Sequence, residues 1–515
     1  MLLARVAEVS REVTAASARS RKIGLLAELF AEAAPEESPL VIAYLSGRLP
    51  QGRIGVGWSV LKDVVPPAVP PSEQPILTLG RADEVMTELA EVSGAGARAA
   101  RARIVHALFA AATLDEQRLL LRLLTGEVRQ GALDAIALEG VAQAATVPAT
   151  ALRRAVMLEG ALPPVAQAVL AEGATALDRF TLRVGNPVQP MLAHTAASVT
   201  EAIAALGPCV VEEKLDGIRI QVHRSGDEVR VHTRSLDDIT DRLPEVVASA
   251  RAVPADGFIL DGEVIALDPG TGRPVSFQSI ASRVGSRTDV AGARAVLPLT
   301  PVFFDVLAVD GEGLIDRAGR ERHEALTRLL PEPQRVRRLV VTDPADPAQI
   351  GAAERFFTDT LARGHEGVLV KALDAPYVAG RRGRTWLKVK PVHTVDLVVL
   401  AVERGHGRRT GLLSNLHLGA RAADGGFVML GKTFKGLTDE MLRWQTERLG
   451  GLAVEDDGFT VRVRPELVVE IAYDGLQSST RYPAGVTLRF ARVVRHRPDK
   501  PASEADTVEA ITGRH

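Results

Sequence analysis

The chain has 515 residues, a formal net charge of −2 and a hydrophobic content of 46%, which permits sizeable cores and argues against global disorder. A near-neutral charge excludes nucleic-acid binding through overall charge, so any basic surface must be local. The single cysteine, Cys209, excludes an intrachain disulfide framework and a cysteine-rich zinc module and fits a reducing compartment. No apolar run approaches the roughly 18 residues of a spanning helix and no signal-peptide block opens the chain, so we expect a cytoplasmic protein without a membrane segment.

Residues 1 to about 182 have the pattern of a helical region. Apolar residues recur three and four positions apart, alanine is abundant, and no long alternating strand pattern is present. The segment Gly185-Asn186-Pro187-Val188-Gln189-Pro190 then interrupts the pattern, because its glycine and prolines do not continue a helix. We therefore place a domain boundary near residue 185.

The middle of the chain, from Met191 to about Pro391, is predicted to mix strands and helices. Ile218, Ile220 and Val222 alternate with polar residues, and a turn-prone segment at 225–228 leads into a second alternating run, which indicates a hairpin. Further strands are predicted at 258–267, 302–309 and 367–371, and helices at 320–330 and 352–362.

From about Val392 onward the pattern is mostly β. One helix is predicted at Asp439 to Leu449, with Thr438 as its N-cap. Short strands are predicted at 396–402, 416–420, 427–430, 460–463 and 467–473. Five short strands with one helix are typical of a small OB-type barrel.

Lys214 stands in the most informative stretch, Glu212-Glu213-Lys214-Leu215-Asp216-Gly217-Ile218-Arg219. A lysine is a nucleophile only as the free amine, because the ammonium ion has no lone pair. This lysine follows an apolar run, precedes a turn-prone Asp-Gly pair and lies five residues before an arginine. That arrangement suits an amine that attacks a phosphate, and neighbouring cations would favour its neutral form. A lone lysine is more often a solvated surface charge, so the interpretation depends on the rest of the chain.

Five further segments carry residue types suited to phosphate chemistry. A carboxylate beside a glycine can hold a divalent metal at a phosphate, and a strand aromatic can stack on a base. Two cations two residues apart share one face of a strand, which is costly unless solvent or phosphate neutralises them. Each segment alone has a structural explanation as a turn, a core strand or a solvated face. The segments are 261–267, 302–307, 366–371, 381–390 and 489–500.

Taken in order, these segments resemble the motifs of the covalent nucleotidyltransferases, and specifically of the ATP-dependent DNA ligases. Lys214-Leu215-Asp216-Gly217 matches the Lys-x-Asp-Gly motif of that superfamily, with Arg219 at the expected spacing. The resemblance covers residues from about 186 to 500, and the segment 126–131 is similar to a DNA-contacting loop of longer ligases. The other motifs follow as Arg234-Ser235, Asp261-Gly262-Glu263, Phe304-Asp305, Glu366-Gly367 through Lys371, Lys388-Val389-Lys390 and Arg497-Pro498-Asp499-Lys500.

Two positions depart from the family pattern. Leu215 stands where many ligases have tyrosine, which puts a stacking contribution there in doubt, and Ala491 stands where proline is common. Neither departure changes a charged role.

The resemblance implies a role for each matched residue. Lys214 would attack the α-phosphate of ATP and form lysyl-AMP, Glu212 would accept a hydrogen bond from the adenine amino group, and Phe304 would stack on the ring. The remaining implied roles are ribose, phosphate or nick 5′-phosphate binding by Arg219 and Arg234; ribose or metal binding by Glu263; Mg²⁺ or Mn²⁺ binding by Glu366; phosphate charge stabilisation by Arg382, Lys388 and Lys390; DNA binding by Arg129; and pyrophosphate orientation by Arg492, Arg497 and Lys500.

The fold that the resemblance implies has three domains. They are an all-α DNA-binding domain (1–185), an α+β, ATP-grasp-like nucleotidyltransferase domain (186–391) and an OB-fold β-barrel (392–515). The implied activity is ATP-dependent sealing of 3′-hydroxyl/5′-phosphate nicks through lysyl-AMP and an adenylated DNA 5′-phosphate. We expect a monomer that binds nicked double-stranded DNA, with ATP and Mg²⁺ or Mn²⁺ as cofactors.

Two rival classes remain open from the sequence. An RNA ligase or a capping-type guanylyltransferase would share the lysine and the barrel, but capping enzymes lack a large helical N-terminal domain, and a comparison of AMP with GMP labelling would separate them. A non-catalytic OB-fold nucleic-acid-binding protein would not be expected to keep costly charges such as Lys214, Glu263 and Glu366 together. An NAD-dependent ligase is disfavoured, since those enzymes carry a four-cysteine zinc module.

Overall fold

The structure is a computed structural model that describes residues 1–66, 68–128, 133–286, 289–379, 385–406 and 409–513. The chain divides into two units, Met1–Lys388 and Val389–His515. The segment of glycine and prolines at 185–190, where the sequence predicts a domain boundary, therefore lies inside the first unit, and the predicted three-domain division remains a prediction.

The first part of the first unit is helical, as the apolar spacing predicts, and its helices bury one continuous core that includes Leu26, Leu29, Phe109 and Leu120. A capping box begins one of these helices, because the Glu116 carboxylate accepts a hydrogen bond of 2.7 Å from the backbone N–H of Thr113. The helices are α1 (Leu3–Ala15), α2 (Arg19–Glu32), α3 (Ser38–Leu45), α4 (Trp58–Leu61), α5 (Leu79–Glu91), α6 (Ala97–Ala111), α7 (Leu114–Leu124), α8 (Leu133–Ala144), α9 (Ala149–Glu159) and α10 (Leu162–Glu172).

Two sheets form the rest of the first unit. One has the strand order β4-β3-β5-β6-β7 and contains the predicted hairpin. The other has the order β1-β10-β9-β2-β8. The strands are β1 (His194–Thr195), β2 (Cys209–Lys214), β3 (Ile218–Ser225), β4 (Glu228–Thr233), β5 (Gly257–Ile265), β6 (Thr300–Val309), β7 (Glu312–Gly313), β8 (Arg338–Val341), β9 (Gly367–Ala372) and β10 (Trp386–Val389).

Six helices accompany these two sheets within the described residues, and two of them, α15 and α16, match the predicted helices. They are α11 (Val199–Leu206), α12 (Pro244–Arg251), α13 (Phe277–Gly285), α14 (Val290–Val296), α15 (Gly319–Leu329) and α16 (Pro347–Ala362). A separate core, which includes Ile220, Phe258 and Leu326, lies beneath the hairpin sheet.

The second unit is mostly β, with one long strand at its centre. Along one edge β11 pairs with β12, and along the other it pairs first with β16 and then with β15, which suits an OB-type β-domain. The elements are β11 (His393–Arg404), β12 (Leu413–Arg421), β13 (Phe427–Thr433), α17 (Asp439–Gly450), β14 (Ala453–Asp456), β15 (Thr460–Val463), β16 (Val468–Tyr473), β17 (Gly475–Ser478), β18 (Val486–Arg489), β19 (Arg492–Arg497) and α18 (Val508–Thr512).

The sequence predicts this unit only in part. The five predicted strands and the helix α17 are confirmed, and the Thr438 hydroxyl caps α17 by accepting a hydrogen bond of 3.2 Å from Met441 N–H. The strands β14, β17, β18 and β19 were not predicted. The last of them runs through the basic segment, and its only apolar residues, Val493 and Val494, are adjacent, so no apolar alternation marks the strand.

No helix among the described residues is long and apolar enough to cross a bilayer.

Candidate active site

Lys214 is the last residue of β2, and its surroundings are set by the neighbouring strand β9. The Lys214 carbonyl accepts a hydrogen bond of 3.0 Å from the N–H of Glu366, the residue just before β9. The Lys214 Nζ also contacts the Glu366 carboxylate. The two side chains are 23% and 18% exposed, so solvent reaches them although neither projects freely into it. Sequence reasoning expected cations around this amine, whereas the structure places a carboxylate in contact with it.

Gly217 brings a second acid to the same place. Its N–H donates a hydrogen bond of 3.2 Å to Glu263 Oε1 on β5. A Cβ atom at position 217 would overlap the Val264 carbonyl oxygen and lie 2.9 Å from Glu263 Cγ. The backbone at position 217 therefore approaches β5 so closely that only glycine, the last residue of the Lys-x-Asp-Gly motif, fits there.

Burial raises the pKa of the Glu263 carboxyl to about 7, although Lys214 and Arg219 nearby act in the opposite direction. The Glu366 carboxylate adds to the rise. Glu263, Glu366 and Lys214 therefore interact electrostatically, and the two predicted acids and the predicted nucleophile share one region.

Glu212 lies two residues before Lys214 and is buried beside cations. Lys371 Nζ is 2.5 Å from Glu212 Oε2, and Arg338 Nη1 is 3.9 Å from Glu212 Oε1. Burying a carboxylate is costly unless it is paired, so these cations offset the cost of placing Glu212 in the interior.

Phe304 belongs to a small aromatic group around Lys371. The rings of Phe304 and Trp386 meet edge to face, with their centroids 6.3 Å apart. Lys371 Nζ lies 4.6 Å from the Phe304 ring centroid and 4.1 Å from the Trp386 centroid, within the range of cation–π attraction. Phe304 is half-buried, so part of its ring is accessible.

Arg219, on β3, is held by a network rather than left free. Its Nε and Nη2 donate to the two carboxylate oxygens of Asp261 at 3.0 and 2.6 Å, a bidentate pair. Its Nη1 donates to the Met191 carbonyl at 2.6 Å, and the Tyr377 hydroxyl donates to Asp261 at 2.8 Å. The guanidinium is fixed in position, with its carbon 5.4 Å from the Phe304 ring centroid.

The other predicted residues of the first unit are spread around this centre. Lys388 lies on β10, one strand beyond β9, where its carbonyl accepts a hydrogen bond of 3.0 Å from Ala196 N–H. Arg234 follows β4 and is exposed. Arg382 and Arg129 lie outside the described residues.

Two predicted cations of the second unit face one acid. Arg492 Nη1 is 3.4 Å from Asp474 Oδ1, and Lys390 Nζ is 3.6 Å from Asp474 Oδ2. The strand β10 ends at Val389, just before Lys390. The sequence predicts that Lys388 and Lys390 share one face of a strand, but β10 includes Lys388 and ends before Lys390. The anion near Lys390 is Asp474.

A second acid, Asp396, pairs with the last two predicted cations, Arg497 and Lys500. Arg497 Nη1 and Lys500 Nζ approach Asp396 Oδ2 at 3.1 and 2.8 Å. Arg497 also pairs with Asp499 at 2.9 Å. Both members of the terminal motif are therefore oriented by carboxylates in the resting structure.

Three residues near the site received no role from the sequence. Lys371 and Trp386 lay inside recognised segments, but only the register of β9 against β2, in which Leu369 lies opposite Glu212, brings Lys371 diagonally across to Glu212. Tyr377 gave no signal at all, because a tyrosine after a strand is usually a packing residue. It is fully buried and joins Asp261 to the Met191 backbone.

Family models match along the chain in the expected order. They are an ATP dependent DNA ligase domain at residues 190–390, an ATP dependent DNA ligase C terminal region at 409–500 and a DNA ligase N terminus at 59–142. The first of these contains Lys214, Glu263, Phe304 and Glu366.

Curated relatives match over the full length. A protein of Streptomyces avermitilis called Probable DNA ligase is 66% identical over 515 residues, covering 100% of this chain and 99% of the relative. A Probable DNA ligase of Anaeromyxobacter dehalogenans is 54% identical over 516 residues, with 100% and 99% covered. A solved structure described as Pmar-Lig_PreS3 has a TM-score of 0.64 at 19% identity over 96% of this chain and 99% of that chain, which concerns the fold alone.

A lysine flanked by acids at a strand end, followed by an OB-type β-domain, defines the class of lysine-dependent nucleotidyltransferases. The matching domains and relatives narrow this class, and the chain belongs to the ATP-dependent DNA ligase family.

Proposed function

We propose that Lys214 carries the nucleotidyl group when this ligase seals nicks in duplex DNA with ATP. The amine nitrogen of Lys214 forms a bond to the α-phosphorus of ATP while the bond to pyrophosphate breaks. The proton shed by the amine can pass to the Glu366 carboxylate in contact with it and on to solvent, which reaches both side chains, so this carboxylate is then free to hold a metal. That contact, at a partly accessible strand end, is the observation that carries the proposal.

The adenine would be recognised by Glu212 and Phe304. Glu212 is paired with Lys371, and its carboxyl oxygens can accept a hydrogen bond from the adenine amino group. The accessible part of the Phe304 ring offers a stacking surface beside it. The arginine held by Asp261 would bind ribose or phosphate from a fixed position, which reduces the ordering cost of each turnover.

The metal would be held by Glu263 and Glu366. No group of three or more His, Cys, Asp or Glu side chains that could hold a metal is found among the described residues. Mg²⁺ commonly uses one or two carboxylates together with waters and substrate phosphates, so two glutamates fit it. When bound, the ion would supply positive charge to the phosphates.

After lysyl-AMP forms, two further transfers complete ligation. AMP passes from Lys214 to the 5′-phosphate of the nick, breaking the P–N bond, and the 3′-hydroxyl then attacks that phosphate and releases AMP. Lys388 and Arg234 in the first unit would compensate phosphate charge, and so would Arg382, which lies outside the described residues. In the second unit Lys390 would share that role, and Arg492, Arg497 and Lys500 would orient pyrophosphate.

The helical region would bind the duplex, with Arg129 as one contact, and the ligase would act as a monomer. Because a nick can occur in any sequence, readout should be of phosphate and duplex shape.

The experiment is a chase of labelled adenylate. The protein is incubated with ATP labelled at the α-phosphate, freed of nucleotide, and mixed with nicked duplex. We expect the label to move from protein to DNA and then to leave as AMP as the nick closes. Retention of the label on protein while nicks are sealed would contradict the proposal.

A further inference from the structure

The segment 185–191, here called the strap, lies between the helical region and β1 in the chain and runs along β3 of the hairpin sheet, within the first unit. It has no regular secondary structure, yet Val188 and Met191 are fully buried. A buried irregular backbone must find hydrogen-bond partners, because an unpaired buried N–H or C=O is costly. The partners come from two sides.

On one side, alternate side chains of β3 bind the strap backbone. Gly185 N–H donates to His223 Nδ1 at 3.0 Å. Val188 N–H donates to Gln221 Oε1 at 2.8 Å, and Gln221 Nε2 donates to the Val188 carbonyl at 3.1 Å. Since strand side chains alternate between faces, Arg219, Gln221 and His223 lie on one face of β3 and form a ladder along the strap.

The third rung of this ladder is the arginine of the nucleotide site. Arg219 Nη1 donates to the Met191 carbonyl at 2.6 Å, and Met191 N–H donates to the Tyr377 hydroxyl at 3.0 Å. This face of β3 therefore carries Arg219, the proposed ribose or phosphate ligand, at one end. At its other end it carries His223, which binds the start of the strap.

The hydrogen-bond roles within the ladder fix its protonation. His223 Nδ1 accepts from Gly185, so its Nε2 carries the proton and donates to Gln221 Oε1 at 2.8 Å. Burial, with His232 close by, lowers the pKa of His223 to about 3. The imidazole is therefore neutral at physiological pH, as an acceptor for Gly185 must be.

On its other side, the strap binds the end of α9. Gln189 N–H donates to the Met157 carbonyl at 2.9 Å, and Asn186 Nδ2 donates to the Leu158 carbonyl at 2.9 Å. Gly160 has φ +86°, and a Cβ there would lie 2.9 Å from the Pro187 carbonyl oxygen. A glycine thus ends α9 and also lets the strap approach its last turn.

We propose that Gln221 and His223 are positioning residues that couple the nucleotide site to the helical region through the strap. The proposal rests on the proposed function, in which the helical region binds duplex DNA. A fixed strap would present the helical region and the nucleotide site to one duplex together, which raises affinity as joined binding modules do. Formation of lysyl-AMP from ATP needs no duplex, so it should depend little on Gln221 and His223, the two rungs outside the nucleotide site.

The test compares Gln221→Leu and His223→Phe with the control Val222→Ala. Val222 is fully buried on the opposite face of β3, so its truncation loosens the core without touching the strap. In the ladder variants we expect faster hydrogen exchange of the strap amides. We also expect a rate of lysine adenylation within about twofold of the parent and affinity for nicked duplex reduced about tenfold, a usual size for coupling between sites.

The control Val222→Ala should lower the melting temperature, and any loss of lysine adenylation should be matched by an equal loss of affinity for nicked duplex. Unchanged strap exchange in the ladder variants, or a parallel loss of adenylation and DNA binding as in the control, would overturn the proposal. If the parent protein itself forms no lysyl-AMP, the proposed function fails, whereas the exchange measurement still decides whether the ladder holds the strap.

Discussion

Gly217 shows how one residue without a side chain can govern the nucleophile. Replacing it with alanine would push a methyl group into the Val264 carbonyl and the Glu263 side chain, so the turn between β2 and β3 must move. We expect Gly217→Ala to slow lysine adenylation about 100-fold, as small displacements of reacting groups do. Gly24→Ala is the control, because Gly24 lies in α2 with nothing within 4 Å of an added Cβ. A Gly217→Ala protein with the parental rate would refute this role.

Glu212 and Glu213 are neighbours on β2 whose side chains lie on opposite faces of the strand and pair with different cations. Glu212 faces Lys371, whereas Glu213 is 3.0 Å from Arg337 and 3.5 Å from Arg363. We expect Glu212→Gln to raise KM for ATP about fivefold, because a hydrogen bond to a charged acceptor is stronger by about 1 kcal/mol than one to a neutral acceptor. Steady-state kinetics of Glu213→Gln should show the parental KM. Equal effects of the two substitutions would argue against adenine binding by Glu212.

The helix α15 is tied to β6 by a buried ion pair. Arg322 donates to both oxygens of Asp305 at 2.8 and 3.0 Å, and both side chains are almost fully buried. We expect Arg322→Leu to reduce the free energy of unfolding by about 3–5 kcal/mol, since it leaves a buried carboxylate unpaired. Arg320→Leu, on the same helix but in an exposed pair with Asp374, should cost about 0–1 kcal/mol in the same urea titration. Similar losses from both would show that the buried pair is not special.

Three neighbouring strands of the second unit meet at Glu403. Burial alone would raise the pKa of Glu403, but hydrogen bonds from Lys432, Asn415 and His417 lower it to about 2. The folded state then binds fewer protons than the unfolded state, whose glutamate has a pKa of about 4.3. The stabilisation is present above about pH 4.3 and is lost as the pH falls toward 2.

Glu403→Gln should therefore flatten the loss of stability of the second unit on the acid side. Urea unfolding curves between pH 7 and pH 3 measure this dependence. Glu455→Gln, an exposed glutamate 3.7 Å from Arg462, is the matched control and should keep the parental slope. A parental slope in Glu403→Gln as well would assign the acid sensitivity to other groups.

At the scale of the whole molecule, the local sequence pattern predicted many of the single strands and helices. It did not predict how strands and loops far apart in the chain align. The hairpin, the strands β5, β6 and β9, and the helices α15 and α17 follow from alternation, helical spacing and the Thr438 cap. The ordered motifs predicted the group formed by Lys214, Glu263 and Glu366. The sequence could not predict that Lys371 pairs with Glu212 or that Tyr377 reaches Asp261, because those contacts depend on how strands and loops far apart in the chain align.

The basic segments illustrate the same limit. Five cations near residue 385 and five more near residue 495 suggest free positive surface, but acids from elsewhere in the fold meet several of them. Asp474 and Asp396 are far in sequence from the residues they orient. Part of the positive charge of these segments is therefore neutralised by acids within the second unit.

The most direct measurement is the location of the adenylate on the protein. The ligase is incubated with ATP and Mg²⁺, digested at neutral to alkaline pH, and its peptides are mapped by mass spectrometry, with Lys214→Arg and the control Lys22→Arg, in α2 of the helical region, in parallel. We expect one AMP adduct, on Lys214, in the parent and in Lys22→Arg, and none in Lys214→Arg. An adduct on another residue, or nick sealing that persists in Lys214→Arg, would contradict the account.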